Sequence, residues 1–113
     1  MKLKSIQMAI FITFIGCSAS DVGTLRIINN TPKVVSQLTV DVCGQSFEYR
    51  DISPDNAIAL RYEKNCEGHF RLFVAYNDGK TLRDDIGYVT PGINIEHEIA
   101  IGLTGFSLAS EGE

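Results

Sequence analysis

The feature that most constrains the fold of this chain is a two-residue alternation of apolar and polar side chains. Residues 36–42 read Ser-Gln-Leu-Thr-Val-Asp-Val, and a similar alternation occurs at 57–62, 69–76 and 93–101. A period of two places successive side chains on opposite faces of a β-strand. No segment has the 3.6-residue period of an amphipathic helix. The sequence therefore predicts an all-β fold.

Residues that favour turns separate these segments. Clusters of Asn, Asp, Gly and Pro lie at 29–32, 53–56, 65–68, 77–80 and 90–92. Short strands separated by such turns are typical of a β-sandwich or a small barrel. We predict a small antiparallel β-sandwich of seven or eight strands with an immunoglobulin-like architecture, and the pattern does not assign the strand topology. The predicted strands cover residues 24–29, 34–43, 46–51, 57–63, 69–76, 81–89, 93–102 and 104–109.

Two of the turns give specific predictions. The Asn-Asp-Gly sequence at 77–79 favours a tight type I′ hairpin, because Asp-Gly supplies residues that tolerate positive φ. This hairpin would join 69–76 to 81–89 as antiparallel neighbours. At Pro91-Gly92, proline sets φ for the first turn position and Gly92 is expected to take a positive φ.

The start of the chain has the features of an export signal. Two lysines at positions 2 and 4 precede an apolar run at 8–15, which is too short to span a bilayer. The segment Phe14-Ile15-Gly16-Cys17 resembles the lipobox of bacterial lipoproteins. That resemblance implies a signal peptide at 1–16 and a membrane anchor of acyl chains on Cys17. Because Ser18 rather than aspartate follows, it also implies the outer membrane, facing the periplasm or the cell surface.

The alternative for the leader is ordinary cleavage after Ser18 or Ser20, with Cys17 discarded. On the lipoprotein interpretation, residues 17–23 are the lipidated cysteine and a tether, and residues 24–113 form a single domain. Cys43 and Cys66 are then the remaining cysteines. In an oxidising compartment they are expected to form a disulfide. A reactive thiol or a metal ligand is the alternative, although the chain has no C-x-x-C motif.

Charge and motif content restrict the function. Residues 17–113 carry 8 basic and 14 acidic residues, a net charge of −6, which argues against a nucleic-acid partner. No known catalytic, nucleotide-binding or metal-binding motif occurs, so we predict no enzyme activity, cofactor or metal. His97 lies on the apolar face of 93–101 and is expected to be a core or rim residue. A small hydrolase using His97 or His69 is the weaker alternative.

Two sets of polar residues are candidates for binding. Asp84 and Asp85 could hold a cation with Asp78, but adjacent carboxylates in a hairpin are more often solvated. Tyrosine and arginine are enriched at protein interfaces, and the possible binding surface consists of Tyr49, Arg50, Arg61, Tyr62, Arg71 and Tyr88. Exposed edge strands are a further route, since they can accept another chain.

The sequence therefore predicts a lipid-anchored, non-catalytic binding or accessory protein of the bacterial cell envelope. Its expected contacts are the membrane, through Cys17, and a protein partner in the envelope. A periplasmic enzyme inhibitor or an accessory subunit of an envelope machine is the alternative within the same class.

Overall fold

A computed structural model describes residues 21–92 and 96–112 of the chain, in which eight β-strands occur. The signal peptide predicted at 1–16, Cys17 and residues 93–95 lie outside the described residues. In the two described ranges there is no helix that is long and apolar enough to cross a membrane. The strands are β1 (Val22–Asn29), β2 (Val35–Val42), β3 (Gln45–Ile52), β4 (Ala57–Glu63), β5 (Gly68–Tyr76), β6 (Thr81–Val89), β7 (Glu96–Ile101) and β8 (Phe106–Gly112).

The strands form two four-stranded sheets that pack face to face, as the predicted β-sandwich requires. Sheet A has the order β4-β1-β7-β8, and sheet B has the order β3-β2-β5-β6. All neighbours pair antiparallel except β1 and β7, which pair parallel. The expectation of a wholly antiparallel fold is wrong at this point. The chain leaves sheet B after β6 and re-enters sheet A beside β1, in the same direction as β1.

The core consists of the apolar side chains that the alternation turns inward. Phe70, Leu72 and Val74 of β5 are fully buried between the sheets, opposite Leu25 and Ile27 of β1. Burial of such side chains contributes roughly 1.5–3 kcal/mol each and is the main force holding the sheets together. The predicted inward and outward positions of these strands are confirmed.

A disulfide joins Cys43 to Cys66, with 5.3 Å between their Cα atoms. Cys43 and Gly44 have φ values of +50° and +77°, which is the pattern of a two-residue type I′ turn. The predicted second strand ran through Cys43, whereas the strand ends at Val42. The disulfide therefore ties the tip of the β2–β3 hairpin to the loop between β4 and β5.

The β5–β6 hairpin forms as predicted, but its turn is of another type. The Gly79 amide donates to the Tyr76 carbonyl at 3.0 Å, and the Tyr76 amide donates to the Lys80 carbonyl at 2.8 Å. Only Gly79 has a positive φ there, +93°. The prediction of a type I′ turn is wrong, because Asp78 stays at negative φ and the glycine forms the bulge that follows a type I turn. Gly92 has the predicted positive φ, +85°.

Candidate binding face

The outer face of sheet B carries many polar and aromatic side chains. The register of its strands determines which of these side chains are neighbours. Directly opposite residues of paired strands share a face. Asp41 of β2 lies opposite Arg71 of β5, which lies opposite Asp85 of β6. The Arg71 Nε lies 3.3 Å from Asp85 Oδ1. This first row across the sheet therefore alternates acid, base and acid.

The second row, two residues further along each strand, contains an aromatic ring. Thr39 lies opposite Phe73, and Phe73 lies opposite Arg83. The guanidinium carbon of Arg83 is 5.1 Å from the centre of the Phe73 ring, within the distance of a cation–π contact. The ring is half-buried in the sheet surface, so the contact holds the Arg83 side chain flat against the face.

Two shallow clefts adjoin on this face. One has a volume of about 330 Å³ and is bordered by the disulfide-linked hairpin and His69. The other has a volume of about 340 Å³ and lies over Phe73. Asp41 and Arg71 line both clefts, so the two form one continuous surface, which we call the sheet B cleft.

The charges in the sheet B cleft are only partly neutralised internally. Arg71 pairs with Asp85, whereas within the described part of the chain neither Asp41 nor Arg83 forms an ion pair. Two strand spacings and one row separate the backbone positions of Asp41 and Arg83, or about 12 Å. The surface thus offers one carboxylate and one guanidinium on the same face.

His69 and Tyr88 lie at the end of the cleft near the disulfide. His69 Nδ1 contacts the Gly87 carbonyl oxygen, so this nitrogen carries the proton and Nε2 is left as an acceptor in the neutral ring. The Tyr88 ring packs edge-on to the imidazole, with centroids 6.1 Å apart. The Tyr88 hydroxyl donates to Glu67 at 3.2 Å, and this bond raises the tyrosine pKa because it favours the protonated phenol.

The two histidines lie in different environments on either side of Gly87. His97 is 4% exposed, and its ring packs edge-on to Phe70 in the core, 5.1 Å between centroids. The prediction that His97 is a core or rim residue is confirmed. His69 is exposed on the outer face of sheet B. The two imidazoles therefore do not line one cleft.

The six tyrosines and arginines predicted as a possible binding surface do not form one. Tyr62 is 2% exposed, and burial raises its pKa to about 12. Tyr49 is half-buried against the core on the inner face of sheet B, and burial raises its pKa also. Arg61 is exposed on β4, on the far side of the sandwich. Of the set, Arg50, Arg71 and Tyr88 belong to the outer side of sheet B.

The physical reason for this correction is the strand period itself. Tyr49 and Arg50 are adjacent in one strand, and so are Arg61 and Tyr62. Adjacent residues of a strand point to opposite faces, so each pair is divided between core and solvent. The same rule divides Asp84 from Asp85, while Asp78 pairs with Lys33. These three acids do not converge on a cation.

Sequence reasoning missed Asp41, Phe73 and Arg83 as members of one face. The alternation does place Asp41 and Phe73 outward, since each is flanked by core residues, whereas Arg83 lies between the half-buried Leu82 and the exposed Asp84. What it does not give is the strand order that makes β2, β5 and β6 neighbours. That order results from long-range pairing, and the sequence has no local signal for it.

No protein-family model and no curated protein matches this chain. Its fold is similar to a solved structure, "NMR structure of the protein from Eubacterium rectale", with a TM-score of 0.61 and 12% sequence identity. The match covers 81% of this chain and 92% of the other. At this identity the similarity concerns the fold alone.

Proposed function

We propose that this protein is a non-catalytic, lipid-anchored binding protein of the bacterial cell envelope, and that it holds a protein partner in the sheet B cleft. The observation that carries the proposal is the pair of adjoining clefts that share Asp41 and Arg71. A rigid β-sheet fixes the backbone positions of these residues, so little backbone entropy is lost when a partner docks.

The charges of the cleft indicate what the partner presents. Asp41 and Arg83 have no ion pair within the described residues, so a partner that presents a basic group to Asp41 and a carboxylate to Arg83 would complement both. Arg83 is already ordered by its contact with Phe73, and arginine and aromatic side chains are frequent interface hot spots. The open, shallow form of the clefts suits a protein surface better than a small molecule.

The anchor is the second part of the proposal and depends on Cys17. β1 begins at Val22, so only a few residues separate the cysteine from the folded domain. A short tether would keep the sandwich close to the membrane surface. Cys17→Ser is expected to abolish labelling with radioactive palmitate and normal processing, and unchanged labelling would contradict the anchor.

Capture of partners from envelope extracts, with matched charge reversals, tests the binding face. Arg83→Glu and Asp41→Lys should each weaken capture of the wild-type partner by at least about ten-fold, because each removes an attraction and adds a repulsion. Arg61→Glu makes the same charge change on sheet A and serves as the control. Equal loss with Arg61→Glu, or full capture by both cleft variants, would contradict the proposed face.

A further inference from the structure

The free edge of β6 is regular over most of its length. Six consecutive residues, Thr81 to Ile86, pair with β5 without a register shift, and among the strands of residues 21–92 and 96–112 β6 has no other partner. Edge strands of this kind present unpaired backbone groups and can template another strand. On the other side of the sandwich the Gln45 side chain closes the edge of β4, since it bonds the Glu63 amide at 2.9 Å and carbonyl at 2.8 Å.

The register shows which backbone groups of β6 face outward. The Tyr76 amide donates to the Lys80 carbonyl, so the residues that exchange hydrogen bonds with β5 are Lys80 and every second residue after it. Thr81, Arg83 and Asp85 therefore direct their amides and carbonyls away from β5. One of these amides is covered: the Asp85 N–H donates to the Asp84 carboxylate at 2.8 Å.

Asp84 occupies an unusual position for an acid. It pairs with Leu72, which is fully buried, so Asp84 lies on the inner face of sheet B. It is nevertheless exposed, and its neighbours on that face, Leu82 and Ile86, are half-buried. The sandwich is thus open along β6, and one carboxylate lies in this opening between two aliphatic side chains.

The side of the opening that β8 forms is also apolar. β8 is the edge strand of sheet A and lies beside β6. Leu108 of β8 pairs with the fully buried Ile99 and therefore faces inward, yet it is 38% exposed. The opening between β6 and β8 combines a free strand edge, aliphatic side chains on both strands and a single acid.

We propose that this opening accepts an extended segment of a partner protein as an added strand along β6, and that Asp84 selects a segment with a basic residue opposite it. The apolar residues two positions on either side of that basic residue would face Leu82 and Ile86. The site uses the edge and the inner face of β6, whereas the sheet B cleft lies on the outer face, so the site goes beyond the function proposed above.

Asp84 also explains how the edge rejects other strands. While its carboxylate accepts from the Asp85 amide, an incoming carbonyl loses that donor. A lysine or arginine opposite Asp84 attracts the carboxylate and releases the amide for the new ladder. A second copy of β6 paired antiparallel about Asp84 brings two carboxylates together, which is destabilising. The edge is therefore selective for basic strands and against self-pairing.

Peptide binding to the purified full-length protein tests the proposal. The probe is a fluorescein-labelled nine-residue peptide of alternating valine and threonine with one central lysine, compared with the same peptide carrying a central glutamate. The wild type is expected to bind the lysine peptide about ten-fold more tightly, because a cross-strand attraction replaces a repulsion. Amide chemical shifts of Thr81, Arg83 and Asp85 should change on binding.

Three substitutions separate this site from the cleft. Asp84→Asn should reduce the preference for lysine to about two-fold or less, while Asp85→Asn, the same change on the opposite face of β6, should leave it unaltered. Asp41→Lys disturbs the cleft and should not affect peptide binding. Failure to bind either peptide, a lysine preference that survives Asp84→Asn, or shifts confined to β3 or β8 would overturn the proposal.

Discussion

Asn29, at the end of β1, is the buried polar residue whose replacement tests the fold most severely. Its side chain is 0% exposed. The amide nitrogen donates to the carbonyls of Lys33 at 2.8 Å and Ile52 at 3.0 Å. The amide oxygen accepts from the Thr31 hydroxyl at 2.7 Å and the Thr31 amide at 3.2 Å. One side chain thus joins the β1–β2 connection to the end of β3.

Asn29→Leu keeps the branched shape and the number of side-chain heavy atoms and removes all four hydrogen bonds. Each bond contributes about 1 kcal/mol net, and a buried carbonyl left without its donor costs about 1–3 kcal/mol. The Thr31 hydroxyl retains its contact with the Lys33 carbonyl at 3.1 Å, which reduces the loss. We expect the free energy of unfolding to fall by about 3–4 kcal/mol, a large part of the roughly 5–15 kcal/mol typical of a domain.

Urea unfolding followed by far-ultraviolet circular dichroism measures this loss, since the chain has no tryptophan. Asn30→Leu is the control, because Asn30 is exposed one position away. Combined with Thr31→Val, Asn29→Leu should cost about 1 kcal/mol less than the sum of the single changes, since both remove the hydrogen bond from the Thr31 hydroxyl to the Asn29 amide oxygen. A loss below about 1 kcal/mol for Asn29→Leu, or one equal to that of the control, would refute the reasoning.

Three further substitutions address local features. Gly87→Ala should destabilise the fold by about 2–3 kcal/mol in urea unfolding, because Gly87 has a φ of +81° and an added Cβ would lie 2.9 Å from a core aromatic ring. Replacing Cys43 and Cys66 together by serine should cost about 3 kcal/mol, through the freedom of the opened loop in the unfolded chain. The hydrogen bond from Lys33 lowers the pKa of Asp78 in the folded protein. The ionised Asp78 therefore contributes to stability above its unfolded-state pKa, near 4, and this contribution is lost as the pH falls through the lower folded-state pKa. Lys33→Met should flatten that part of the stability profile measured by unfolding between pH 5 and about 2.

The sequence predicted the strands well because local alternation determines them. The predicted bounds of β4 and β6, 57–63 and 81–89, agree with the structure. The expectation of an oxidising compartment, together with the count of cysteines, was sufficient to predict the disulfide. The Cys43-Gly44 turn was missed, because cysteine is not a typical residue for positive φ and the apolar alternation continues up to it.

Strand order and face membership were beyond local reasoning. The parallel pairing of β1 with β7 joins residues about 70 positions apart, such as Leu25 and His97, and no turn signal specifies it. The binding face depends on this kind of information, since Asp41, Arg71 and Asp85 meet only through pairing across three strands. Proximity in the sequence instead suggested the Tyr–Arg pairs as a binding surface. Because adjacent residues of a strand point to opposite faces, one member of each pair faces the core and the other faces solvent.

Site-specific photocrosslinking in living cells tests the binding face most directly. A benzoylphenylalanine in place of Thr39 lies in the sheet B cleft, and one in place of Ala59 lies exposed on β4 of sheet A. We expect a discrete adduct with one envelope protein from position 39, its loss when Arg83→Glu is added, and no adduct from position 59. An adduct from position 59 alone, or one from position 39 that survives Arg83→Glu, would contradict the assignment of the binding face.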